Sequence, residues 1–205
     1  MGSELRADAR LYCALRWPAG AGAVRRRLIW LSSPGLLVLG VQRLSHYYRL
    51  RRLERGWTAE TIALRLLLSV GFTLLVLVAK SNVAGGTVIG GGVYLSDGGY
   101  LFLGPERIGS GTLIHQRVTI GVRAGESSAP VIGANVWIGP DSVIYGAVAL
   151  GDGATVLPGS VLSMNVPPGA LVGGNPATVL RAGFDNSALR ASLVNSVDRH
   201  SLLGR

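Results

Sequence analysis

The chain has 205 residues, 30 of them glycine, with 48% hydrophobic residues and a formal net charge of +9. That is enough for one domain with a packed core and a small appendage, and too apolar for a disordered chain. A single cysteine, Cys13, excludes an internal disulfide framework and Cys-x-x-Cys zinc clusters, and suits a reducing compartment, with the cytoplasm as the default.

Residues 1–84 read as a basic, apolar, α-helical segment. The whole charge surplus sits there: residues 1–80 hold 13 Lys/Arg against 4 Asp/Glu, whereas residues 81–205 balance at 7 against 7. Two apolar stretches, LIWLSSPGLLVLGV (28–41) and LLLSVGFTLLVLVA (66–79), are each shorter than the roughly 18–20 residues of a spanning helix. They read either as buried or intersubunit helices or as a peripheral membrane anchor. Arginines beside apolar runs favour an anionic membrane surface, contacted through residues 25–80, over nucleic acid, for which no helix-turn-helix or RNA-binding motif is present. Residues 1–27 end in Arg25-Arg26-Arg27 and lack an apolar core, so no cleavable signal peptide is expected.

From residue 85 to 183 a different pattern takes over. Aliphatic residues recur six apart at Ile108, Ile114 and Ile120, then at Ile132, Ile138, Ile144, Leu150, Val156 and Leu162; Ile89, Leu95 and Leu101 keep the same beat with a one-residue slip before Ile108. A glycine follows Ile108, Ile120, Ile132, Ile138 and Leu150. Such a repeat predicts a solenoid in which each hexad makes one short strand and a turn, and three hexads close one triangular coil. The fold class is therefore mainly β, a left-handed parallel β-helix preceded by α-helices. Glu126 breaks the beat, and VRAGESSAP (122–130) reads as a loop leaving the coil. GGTVIGGG (85–92) is glycine-rich, but inside a hexad repeat its glycines turn corners rather than bind a dinucleotide. Residues 184–205 read as a polar helix or tail with Asp185 as a cap, and His200 is assigned no chemistry.

These residues resemble the hexapeptide-repeat acyltransferases, and the order of parts resembles the serine acetyltransferase branch: helices, then β-helix, an extruded loop, and a closing Gly-x-Pro-Ala-type segment, here GGNPATVLR (173–181). The resemblance covers about residues 35–183. It implies a homotrimer or dimer of trimers, acetyl-CoA as co-substrate in a groove between adjacent β-helices, and a histidine as general base on an acceptor hydroxyl. Where that branch carries an Asp-His pair and an Arg-His-Pro, this chain has Ser96-Asp97 and Ser128-Ala129-Pro130. The usual catalytic histidines of serine acetyltransferase are absent.

His115 is then the candidate base, as the only histidine of the β-helix. Asp97 lies three hexads before it, one coil away, where it would hold the imidazole in one tautomer. A surface histidine making a turn hydrogen bond, or one that binds the acceptor, are the alternatives. On the donor side the resemblance implies that Gly121, Pro140 and Pro158 line the acetyl-CoA arm. Arg181 is a candidate for a cofactor phosphate or a solvated arginine, and Trp137 for a groove wall or a subunit contact.

The expected function is acetyl-CoA-dependent O-acetyl transfer to a hydroxyl of a sugar or glycan-type acceptor, in the cytoplasm or at the inner face of a membrane. Free serine as acceptor and a non-catalytic trimeric scaffold are the alternatives. No metal is expected: the carbonic anhydrases of this fold use three histidines, and the β-helix here has one. A nucleotidyltransferase domain of the kind that precedes this β-helix elsewhere does not fit before residue 85.

Overall fold

The computed structural model describes residues 2–16, 29 and 33–192. The run Arg25–Arg27 and His200 lie outside the described residues. Among the described residues, the helices α1 (Gly2–Arg16), α2 (Pro34–Arg55) and α3 (Ala59–Ala79) come first. Pro34 opens α2, where its missing N–H costs nothing and its fixed φ suits the first turn. Gly56 closes α2 at φ 69°, a positive φ that costs glycine little, and its N–H bonds to Arg52 O. Two residues later a capping box between Thr58 and Thr61 starts α3, so α2 and α3 form a helical hairpin.

The hexads form the expected solenoid, a left-handed parallel β-helix. Its first strand, β1 (Asn82–Val83), pairs in parallel with β4 (Phe102–Leu103), which continues through β7 (Thr119–Gly121) and β10 (Val143–Tyr145) to β13 (Val161–Leu162). A second face runs β2 (Val88–Ile89), β5 (Arg107–Ile108), β8 (Val131–Ile132) and β11 (Ala149–Leu150). The third comprises β3 (Tyr94–Leu95), β6 (Leu113–Ile114), β9 (Trp137–Ile138), β12 (Thr155–Val156) and β14 (Leu171–Gly174), closed by the antiparallel β15 (Ala177–Arg181). Each two-residue strand points one side chain inward, so Ile108, Ile114, Ile120, Ile132, Ile138, Ile144, Leu150, Val156 and Leu162 stack in a single aliphatic column and are all buried.

The register corrects one position. Leu101 is buried as expected, but the ladder residue facing Val83 and Ile120 is Leu103, because Phe102 and Gly104, not Leu101, donate to the carbonyls of Val118 and Ile120. The corner Ser96–Tyr100 therefore holds two extra residues, and the next corner one fewer. Coils keep the three-hexad length where β9 pairs with β12, β8 with β11 and β10 with β13, and those that contain the 122–130 loop are one hexad longer.

The helices are fixed to the first coils by buried polar groups. Arg43 donates to Asp8 Oδ2 at 2.7 Å and to the carbonyls of Ile89 and Gly90, while Asp8 Oδ1 accepts from the N–H groups of Gly92 and Val93. Tyr12 Oη bridges Leu95 on both sides, accepting from its N–H and donating to its carbonyl. At the far end, Asp185 accepts from Ser187 N–H at the start of helical residues 187–192, and Asn186 is buried against the carbonyls of Asn135 and Gly153.

Candidate active site

His115 follows Ile114 on the third face, so alternation along β6 turns it outward. Its backbone N–H bonds to Ile138 O, and its ring leans against Trp137 with centroids 4.8 Å apart and planes 55° from parallel. The ring is shielded enough that Nε2 is buried with no hydrogen-bond partner. Burial lowers the His115 pKa from its usual value, so the imidazole is neutral at neutral pH. A neutral imidazole with an unused nitrogen is what proton abstraction from a hydroxyl requires.

Asp97 is placed differently from the expectation. The coil between β3 and β6 is one residue longer than three hexads, since Leu95 pairs with Ile114, and Asp97 is thereby out of step with His115. Asp97 Oδ1 accepts from Gly35 N–H at 3.0 Å, in the first turn of α2, where the exposed amides and the helix dipole favour a carboxylate. Burial is what shifts the His115 pKa. Asp97 thus ties the helical hairpin to the coil, and Ser96 Oγ donates to Gln116 Oε1 across the same corner.

The donor-side candidates fall on separate corners. Pro140 and Pro158 stack in successive coils just beyond His115, with Gly159 N–H bonded to Pro140 O and Gly139 packed against Pro158. Gly121 ends β7 at the next corner, beside Tyr145, and open space lies where its side chain would be. The 122–130 loop leaves from there and folds back: Glu126 Oε2 accepts from Ala147 N–H, and the Arg123 guanidinium lies 5.2 Å over the Tyr145 ring. Arg181 is exposed at the end of β15. The structure brings His115, Trp137, Pro140 and Pro158 together and places Gly121 on another corner, while Arg181 ends a strand of the same sheet as Trp137, three strands on.

Two features escaped the sequence. Arg117 and Asp141, both at positive φ, form an exposed bidentate ion pair at the His115 corner; they lie one loop-containing coil apart, a signal visible only once the loop's length is known. Trp137 Nε1 and Thr155 Oγ1, neighbours in register on β9 and β12, are buried without hydrogen-bond partners beside His115. A cavity of about 250 Å³ lies elsewhere, between α1, α2 and β2, but its Arg43 is already committed to Asp8, Glu4 and two carbonyls. Among the described residues no three His, Cys, Asp or Glu side chains are grouped to hold a metal ion.

Residues 129–163 match the family described as bacterial transferase hexapeptide (six repeats). The serine acetyltransferase of Neisseria gonorrhoeae superposes on 91% of this chain and 68% of its own, with a TM-score of 0.71 and 24% identity. The fold is that of the hexapeptide-repeat transferases. Soybean serine acetyltransferase complexed with serine is 27% identical, covering 87% of this chain and 68% of its own with a TM-score of 0.68. That of Brucella abortus strain S19 in complex with coenzyme A is 23% identical, with a TM-score of 0.71 over 88% of this chain and 68% of its own. In sequence, a chloramphenicol acetyltransferase of Agrobacterium fabrum is 41% identical over 59 residues, 29% of this chain and 28% of that protein. Serine acetyltransferase 2 of Arabidopsis thaliana is 35% identical over 96 residues, 45% of this chain and 30% of that protein. The chain spans under a third of the length of either curated relative.

Proposed function

We propose that this chain is an acetyl-CoA-dependent O-acetyltransferase with His115 as general base, acting on a hydroxyl of a sugar or glycan-type acceptor assembled at a membrane surface. The observation that carries the reading is the buried, unpartnered Nε2 of a neutral histidine on a fold whose solved relatives include a coenzyme A complex. Nε2 takes the acceptor's hydroxyl proton as the oxygen attacks the thioester carbonyl. The tetrahedral intermediate collapses, the C–S bond breaks, and the imidazolium returns the proton to the departing CoA thiolate. The shield over Nε2 must open when donor and acceptor bind.

The split of the donor-side candidates between corners supports a trimer. A groove formed by two copies would bring Pro140 and Pro158 of one against Gly121 and the 122–130 loop of the next, with Arg181 within reach of a cofactor phosphate. Serine remains the second acceptor to test, on the strength of the solved relatives, although Ser96-Asp97 and Ser128-Ala129-Pro130 stand where that branch carries histidines.

The deciding experiment pairs acetyl-CoA calorimetry with turnover. Wild type is expected to bind acetyl-CoA and Arg181→Ala to bind it more weakly. His115→Ala is expected to bind it as wild type does and to lose about 10²–10⁴ in kcat on sugar or serine acceptors. Equal turnover by wild type and His115→Ala would remove the base, and no acetyl-CoA binding at all would leave a scaffold.

A further inference from the structure

The α2–α3 hairpin presents a surface that nothing among the described residues covers. On α3 the side chains of Ile62, Leu66, Val70 and Leu77 recur at helical spacing and are exposed, Leu66 by 64%, Val70 by 60% and Leu77 by 69%; Leu67, 62% exposed, widens the stripe. The opposite side of the helix carries Thr61, Leu64, Leu68 and Gly71, which are shielded, and Val41 of α2 approaches at Gly71. Thr73 falls within the stripe, but its hydroxyl donates to Ser69 O within the helix, so it offers the stripe no free donor. No charged residue occurs between Arg65 and Lys80.

Charge marks one end of this stripe. Between residues 49 and 65 stand five arginines against two glutamates, around the hairpin tip. There Trp57 is 55% exposed, with the guanidinium of Arg52 4.4 Å and that of Arg65 5.5 Å from its ring centre. An apolar helix that leaves one face exposed, with an indole at its end and arginines beside it, matches a lipid–water interface, where tryptophan sits at headgroup level and arginines meet anionic headgroups. The distance from Arg65 to Lys80 is about 22 Å along the helix, short of the roughly 30 Å hydrocarbon core. Among the described residues no helix is long and apolar enough to cross a membrane. The hairpin is also held to the β-helix, through Gln42 on Ala84 and Thr87, through Arg49 on Gly85, and through the direct passage of α3 into β1.

We propose that the exposed face of α3, with Trp57 and the arginines of the hairpin tip, lies in the plane of an anionic lipid bilayer and holds the β-helix against it. The inference rests on the exposed face and its charge, not on acetyl transfer, so either can fail alone.

Vesicle flotation of the full chain tests it, with phosphatidylglycerol/phosphatidylcholine vesicles compared with phosphatidylcholine alone. Wild type is expected to float with the anionic vesicles and to be released by salt. Leu66→Glu/Val70→Glu, changed only at exposed positions, is expected to lose at least tenfold in binding while keeping its thermal transition. Arg52→Gln/Arg65→Gln is expected to lose about fivefold per charge removed. The proposal is overturned if wild type does not float with anionic vesicles, if it floats equally well with both kinds, or if Leu66→Glu/Val70→Glu floats as wild type does. It is equally overturned if light scattering shows that this variant halves the particle mass without vesicle binding by wild type, since the face would then join two copies.

Discussion

His115 and Asp8 show burial acting on single ionisable groups in opposite directions. For His115 the pKa in the folded chain lies below the unfolded value near 6.5. The unfolded chain therefore binds more protons between the two, and stability falls as pH drops through that window. His115→Gln is expected to flatten this part of the melting-temperature profile. If His115 is the base, the acid limb of kcat/KM falls below the usual histidine range. For Asp8, burial raises the carboxyl's pKa despite the Arg43 guanidinium 2.7 Å away, because losing water outweighs the charge and hydrogen bonds it gains. Asp8→Ala would leave Arg43, itself 5% exposed, with Glu4 and two carbonyls and would take the acceptor from the Gly92 and Val93 amides, and is expected to cost about 3–5 kcal/mol in urea unfolding. That His115 is the lone histidine of the repeat was legible in the sequence. Its buried Nε2 and the attachment of Asp97 to Gly35 were not, because the first depends on the Trp137 ring that the loop-containing coil brings alongside and the second on a coil one residue beyond its three hexads.

At the scale of the element, the hexad pattern predicts strands well because a single inward methyl-bearing side chain every sixth residue has no other place to go. It predicts corners poorly. Leu101 and Leu103 are both aliphatic and both buried, so spacing alone could not tell which one occupies the ladder; the backbone hydrogen bonds to Val118 and Ile120 decide it. Helix attachment is sharper still at Gly35, where an added Cβ would overlap the Leu95 carbonyl oxygen and press on Tyr12 Oη. Gly35→Ala is expected to destabilise by about 1–3 kcal/mol, read as a lowered urea midpoint. The 122–130 loop is the opposite case. Deleting residues 123–128 restores the three-hexad coil and removes only exposed side chains, with the Glu126 bond to Ala147 and the Arg123 contact on the Tyr145 ring as the losses. The melting temperature is expected to stay within a few degrees of wild type, while acetyl transfer falls if the loop completes the groove; full activity after deletion would remove the loop from the site.

For the whole molecule, the basic half and the repetitive half do different work: the β-helix sets out the candidate site, and the helical hairpin turns arginines and an apolar stripe outward. A trimer is the expected particle in light scattering, since the candidate donor residues lie on corners that a single copy keeps apart. The sequence by itself determined the solenoid, its inward column, the excursion at 122–130 and the concentration of positive charge before residue 81, because each is a pattern along the chain enforced by local geometry or plain composition. Tertiary structure alone decided which corner lengths hold, that Asp97 faces Gly35, that His115, Trp137 and Thr155 carry buried polar atoms without partners, and that the apolar stripe of α3 faces outward. Those facts depend on residues a full coil or a whole domain apart, whose spacing is set by corner and loop lengths that no hexad count contains.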